Sequence, residues 1–159
     1  MTLVRVGRAR TGEEPAGPVR RAIAEADDLV SAGALTIGIL HGDPHPAAFR
    51  VDEHGGVGLL DWDSAVAGPL LYDVASAAMS GGVSPTDPET ALLRGYLEEA
   101  PTDVAELRHA EVFLRLRFAV QALYFSWRAA TGVTTGSEAH GSNGKGLEDA
   151  KRGLSRAQR

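Results

Sequence analysis

The chain has 159 residues, a length that fits one domain of roughly 100–200 residues, and a formal net charge of −5, which gives no overall positive field to draw in nucleic acid. At 43% hydrophobic and 23% charged residues it has the composition of a soluble globular protein, and without cysteine it forms neither disulfides nor thiolate metal sites, as suits a reducing compartment. No apolar run approaches the roughly 20 residues of a membrane span. The opening "MTLVRVGRARTGEEP" carries no secretory core. The expectation is a cytoplasmic protein whose partners include neither nucleic acid nor membrane.

Residues 1–18 are mixed and expected to be flexible, with a short edge strand at Val4 and Val6 as the alternative. In "PVRRAIAEADDLVSAGA", Val19, Ile23, Ala26 or Asp27, and Val30 recur at helical spacing, with Pro18 suited to a start and Gly33 to a stop, so a helix is expected over about 19–32. "LTIGIL" reads as a buried strand or extended segment running into "HGDPHP", where Pro44 and Pro46 enforce a loop. Phe49 and Val51 alternate with Arg50 and Asp52, His54-Gly55-Gly56 offers a turn, and Val57, Leu59 and Leu60 resume: a β-hairpin.

A short helix over about 70–79 follows, then another in "SPTDPETALLRGYLEEAP" with Thr86 or Asp87 as N-cap and Pro101 as its end. The longest helix is expected over 103–130, with Val104, Leu107, Leu114, Phe118, Ala122 and Phe125 on one face. "TGVTTGSEAHGSNGKG", 131–146, has the composition of a flexible linker, and "LEDAKRGLSRAQR" that of a final short helix. The fold class is mainly α with a small β-hairpin (α+β), in a single domain over 1–159.

The hairpin returns Asp61 and Asp63 to the loop that carries His41, Asp43 and His45. A loop aspartate can accept a proton from a substrate hydroxyl, and a strand-end aspartate can hold magnesium, a hard cation that prefers oxygen. Asp43 as base and Asp61 as metal ligand, 18 positions apart, supply parts that phosphoryl transfer requires. Two other readings compete. Short polar loops collect Asp, His, Gly and Pro simply as turn formers. Alternatively, His41, Asp43, His45 and Asp61 ligate zinc, manganese or iron in a metal-dependent hydrolase.

"LHGDPHPAAFRVDEHGGVGLLDWDSAVAGPLLYDVASA", Leu40 to Ala77, resembles the catalytic core of the aminoglycoside phosphotransferase family, the antibiotic-, choline- and homoserine-kinase-like branch of the protein-kinase fold. That family carries H-G-D-x-H-x-x-N, a hairpin, then Asp-Trp and an acidic residue. The resemblance implies the C-terminal lobe of a small-molecule O-phosphotransferase. It makes Asp43 the catalytic base, His41 the residue that braces the loop, and His45 part of the loop's commonest form. Asp61 becomes the magnesium aspartate, Asp63 its acidic companion, and Asp73 a support of the loop from the following helix.

Two departures bear on activity. Ala48 stands where the family has its metal-binding asparagine. Losing even an outer-shell partner of a metal costs roughly 10–100-fold. The 40 residues before His41 hold no glycine-rich strand-turn-strand, and the only lysines are Lys145 and Lys151, so the nucleotide lobe that the resemblance implies upstream is expected to be missing. The expectation is a truncated or inactive remnant, with weak magnesium binding and ATP bound only if the missing lobe is supplied. The alternative is a working enzyme completed by another chain. Its substrate is a small hydroxyl-bearing molecule, and the surface left by the missing lobe favours a homodimer or a partner chain.

Overall fold

In a computed structural model, residues 17–100, 103–135 and 142–157 are described. The chain reads α1 (Gly17–Ser31), β1 (Ile37–Leu40), a 3-10 turn (Pro46–Ala48), β2 (Phe49–Val51), β3 (Val57–Leu59), a second 3-10 turn (Trp62–Ser64), β4 (Val66–Pro69), α2 (Leu71–Gly81), α3 (Ala91–Glu99), a third 3-10 segment (Val104–His109), α4 (Ala110–Thr131) and α5 (Asn143–Arg156). It is mostly helical with two small antiparallel sheets. The described residues form two compact units: one within Gly33–Leu114, the other made of 17–32 with the described residues from Arg115 onward.

The unit Gly33–Leu114 contains both sheets. β1 pairs with β4 in the register Ile37↔Pro69 to Leu40↔Val66, and β2 pairs with β3 from Phe49↔Leu59 to Val51↔Val57. The hairpin turn is set by Asp52, whose Oδ1 accepts from the backbone N–H of His54 at 2.9 Å and of Gly56 at 2.7 Å. Such side-chain closure is why aspartate initiates turns. α2 packs against α3, the 46–48 turn and the 104–109 segment. Leu71, Ala75 and Ala78 of α2 are wholly buried, as is Leu93 of α3. The Glu106 carboxylate fastens the start of β1, accepting from the Thr36 N–H at 2.9 Å and from its hydroxyl at 2.6 Å.

The other unit packs α1, the part of α4 from Arg115, and α5 around Val19, Ala22, Ala119, Ala122, Ala150 and Leu154. Its small side chains let helix backbones approach. Arg115 Nε donates to Glu25 at 2.8 Å and its Nη1 to the Ala157 carbonyl at 3.2 Å. Buried Arg128 donates to Asn143 Oδ1 at 2.9 Å, to the Tyr124 hydroxyl at 2.9 Å and to the Thr135 carbonyl, fixing the end of α4 to the turn beyond it.

Several sequence expectations need correction. β1 is not a buried strand: Leu40 is buried, but Ile37 and Ile39 are exposed, because the two-stranded sheet is covered on one face only. β4 escaped the reading because Gly68 and Pro69 spoil a strand pattern; Pro69 is tolerated at the end of an edge strand. The N-cap of α3 is Thr90, whose hydroxyl accepts from the Leu93 N–H at 3.3 Å, rather than Thr86 or Asp87. The helix expected over 103–130 is split, with 3-10 geometry before Ala110.

α5 begins at Asn143, inside the supposed linker. Ser142 Oγ caps it by accepting from the Lys145 N–H at 3.1 Å. α1 likewise starts at Gly17, within the stretch expected to be flexible. The expectations for residues 1–16, for Pro101 and for 136–141 lie outside the described residues.

Candidate active site

β1 delivers its chain into the loop at buried Leu40, and the loop is held from beneath by α2. Asp73, in the first turn of that helix, points both carboxylate oxygens at the loop backbone. Oδ2 accepts from the His41 N–H at 2.6 Å and Oδ1 from the Gly42 N–H at 3.0 Å. A carboxylate near a helix N-terminus is also favoured by the helix dipole. Two charge-assisted hydrogen bonds from one side chain fix the direction in which the loop leaves the strand.

His41 is itself buried and uses both ring nitrogens. Its Nδ1 lies 3.3 Å from the Asp43 N–H, which can only donate, so Nδ1 accepts and Nε2 carries the proton. That proton goes to the Leu60 carbonyl at 2.7 Å. The Trp62 ring lies against the imidazole at 4.9 Å, with its indole N–H donating to the Leu59 carbonyl at 2.8 Å. His41 therefore joins the loop to the end of the hairpin and sets the Asp43 backbone.

His45 caps the 46–48 turn, its Nδ1 accepting from the Ala47 N–H at 3.2 Å. Ala48 then accepts from the Leu60 N–H at 2.9 Å through its carbonyl, a second tie between the two segments. Gly42 allows a close approach of the same two segments. Its φ of +88° favours glycine, and an added Cβ would lie 2.5 Å from the Ser64 carbonyl oxygen. The loop can lie this close to the Trp62–Ser64 turn only without a side chain at 42.

Asp61 follows directly after Leu60. It is the one non-glycine with positive φ among the described residues, at φ 68° and ψ 59°, and its side chain makes no cap bond to the turn it precedes. Aspartate tolerates this left-handed region better than most residues, yet holding it there still costs of order 1–3 kcal/mol. Asp61 and Asp63 are exposed and Asp43 is half-buried.

The backbones carrying Asp43 and Asp61 are thus bound side by side through His41 and Ala48, with Gly42 lying close against the Trp62–Ser64 turn. An exposed Asp61 carboxylate suits a hard cation, whereas Ala48 at 2% exposure offers only a buried methyl. His41 does not suit the transition-metal set of the hydrolase reading, because backbone groups take both its nitrogens. Among the described residues no group of three or more His, Asp or Glu is arranged to hold a metal ion. The Leu60 carbonyl and the Trp62 ring were not singled out from sequence as partners of His41, and no residue pattern encodes a carbonyl's direction.

A model of the phosphotransferase enzyme family matches residues 5–109. No curated protein matches the chain. Among solved structures, choline kinase LicA from Streptococcus pneumoniae is similar at 18% identity and a TM-score of 0.62, over 87% of this chain and 47% of LicA. LicA in complex with AMP gives 15%, 0.67, 97% and 53%. A choline/ethanolamine kinase family protein from Mesorhizobium loti gives 15%, 0.69, 98% and 50%. The chain spans about half the length of the solved structures it matches.

Proposed function

Since this chain belongs to the phosphotransferase enzyme family, we propose that it is the catalytic-loop half of an ATP-dependent enzyme that phosphorylates a hydroxyl group of a small molecule. By itself it transfers phosphoryl groups very weakly or not at all. The observation that carries this reading is the locked pair of segments, with Asp73 and His41 fixing the loop of Asp43 against the turn that begins at Asp61.

In the proposed reaction Asp43 accepts the proton of the acceptor hydroxyl as its oxygen bonds to the γ-phosphorus of ATP. The bond from that phosphorus to the β,γ-bridging oxygen breaks, and ADP leaves with the electron pair. Asp61, with Asp63 beside it, would hold magnesium, which when bound neutralises charge on the transferring phosphate. The methyl of Ala48 supplies no ligand where the resemblance places an asparagine, and this supports weak activity. A reaction that needs ATP and magnesium suits the cytoplasm, and no helix among the described residues is long and apolar enough to cross a membrane.

A second reading, a working enzyme completed by another chain, is favoured by the apolar side chains exposed on the strands and the hairpin end of the unit that holds the loop. Ile37, Ile39, Val51, Val57, Leu60 and Trp62 are all open to solvent. They would seat a nucleotide-binding partner or a second copy.

Manganese titration followed by electron paramagnetic resonance tests the site. Weak saturable binding is expected, lost in Asp61→Asn, which keeps the tolerance for positive φ. Tight zinc binding lost in His41→Ala would instead favour the hydrolase. Micromolar binding of ATP with magnesium to the chain alone would overturn the statement that it is inactive by itself.

A further inference from the structure

Two adjoining recesses of about 400 Å³ and 210 Å³ open beside the loop. Pro44, Ala77 and Leu92 line both, so the recesses share a wall built from the loop, α2 and α3. Phe49 and Val83 add to the larger, Leu70 and Tyr96 to the smaller. The larger has the size of a small-ligand pocket, about 300–1,000 Å³. Pro44 is the residue after Asp43, and consecutive Cα atoms lie about 3.8 Å apart, so the shared wall begins next to the base.

The lining is almost wholly apolar. Its one charged member is Asp73, and both oxygens of that carboxylate accept backbone N–H groups of the loop. Among these lining residues a polycationic acceptor would meet no carboxylate other than that of Asp73, which the loop already engages. A quaternary ammonium is best held in a cage of several rings, and each recess has a single aromatic residue, Phe49 or Tyr96.

Resting on the phosphotransferase reading above, we infer that the acceptor hydroxyl is carried on an apolar body, alkyl or aryl, that lies in these recesses. This departs from the choline and ethanolamine for which the solved relatives are named.

The test is equilibrium binding to the full chain, measured by ligand-observed NMR with three probes: 2-phenylethanol, choline and kanamycin. The expected order puts 2-phenylethanol at least about tenfold tighter than either cation, a difference of about 1.4 kcal/mol. Ala77→Leu, which places a larger side chain in the shared wall, lowers its affinity at least about tenfold. Leu92→Ser, on a partly exposed helix face, weakens it without disturbing the core, and circular dichroism confirms that both variants fold.

Choline or kanamycin binding as tightly as the alcohol, no binding of any probe, or alcohol binding indifferent to both folded variants would each overturn the inference. Manganese titration of the same samples separates the two layers. A chain that loses manganese in Asp61→Asn but shows no preference for the alcohol sinks the apolar acceptor alone. A chain that takes up the alcohol in the recesses but never binds manganese sinks the phosphotransferase reading, and with it the alcohol's role as acceptor.

Discussion

Asp73 does more for the candidate site than its modest place in a helix's first turn suggests. Its two oxygens take the N–H groups of His41 and Gly42, and the first of these bonds is only 2.6 Å long. In Asp73→Asn one oxygen becomes an NH2 that cannot accept, so one loop N–H loses its partner. A buried donor left unsatisfied costs about 1–3 kcal/mol, and in this partly buried loop a loss toward the lower end should show in urea denaturation. A midpoint unchanged from the parent would mean that the loop is held by other groups. Asp61 shows the opposite economy at this scale, since its backbone stays in an uncommon conformation while its side chain makes no cap bond in return. Strain of this kind persists where neighbouring structure over-determines it. Here the Leu60 N–H and carbonyl are both bonded on the residue before.

The helices of the unit formed by α1, α5 and the later part of α4 are joined by missing side chains. A Cβ on Gly146 would lie 2.6 Å from Phe125 Cζ, and one on Gly153 would overlap the Phe118 ring. Read as sequence, the glycines of 144 and 146 look like linker, yet they begin a helix, and at 146 and 153 the backbone meets aromatic rings. Gly153→Ala should therefore destabilise the chain. Alanine gains roughly 1 kcal/mol of helix propensity, but overpacking costs about 1–3 kcal/mol and dominates. Gly95→Ala in α3 is the control, with nothing within 4 Å of the added Cβ, and should stabilise by about 0.5–1 kcal/mol. Thermal unfolding that moves both variants the same way would refute the packing argument.

The buried residues of α4 depart from the single face expected of them. Ala110, Phe113, Leu116, Ala119, Ala122, Phe125 and Arg128 are buried at a three-residue step, with Arg117 buried beside them. Three residues turn a helix about 60° short of a full circle, so the buried line drifts right round the axis along α4. A single-face template catches part of such a line, as Ala122 and Phe125, and misplaces Val104, which is exposed.

At the scale of the whole molecule, the exposed apolar residues of the hairpin are the part of its surface still to be explained. Val51 is 70% and Val57 69% exposed, and they face each other across the hairpin. Contiguous exposed apolar surface marks interaction sites. Light scattering should give a mass above the 16.7 kDa of one chain at high concentration. The paired change Val51→Lys with Val57→Glu keeps a favourable cross-strand pair and should return the monomer. A clean monomer in the parent would remove self-association and leave a different partner as the occupant.

The sequence by itself determined the local and the chemical parts. The prolines, the alternation of 49–51 with 57–59 and the order of the motifs from Leu40 to Ala77 were enough for the loop, the hairpin, α1, α2 and the family, because short-range stereochemistry and residue identity encode them. Only the tertiary structure decided what surrounds each residue. The pairing of β1 with β4, the proton of His41 directed at a carbonyl 19 residues away, and glycines chosen for rings on another helix all depend on distant atoms. A backbone carbonyl's direction and the space a missing Cβ leaves have no letter of their own, so they become legible only when the chain has folded onto itself.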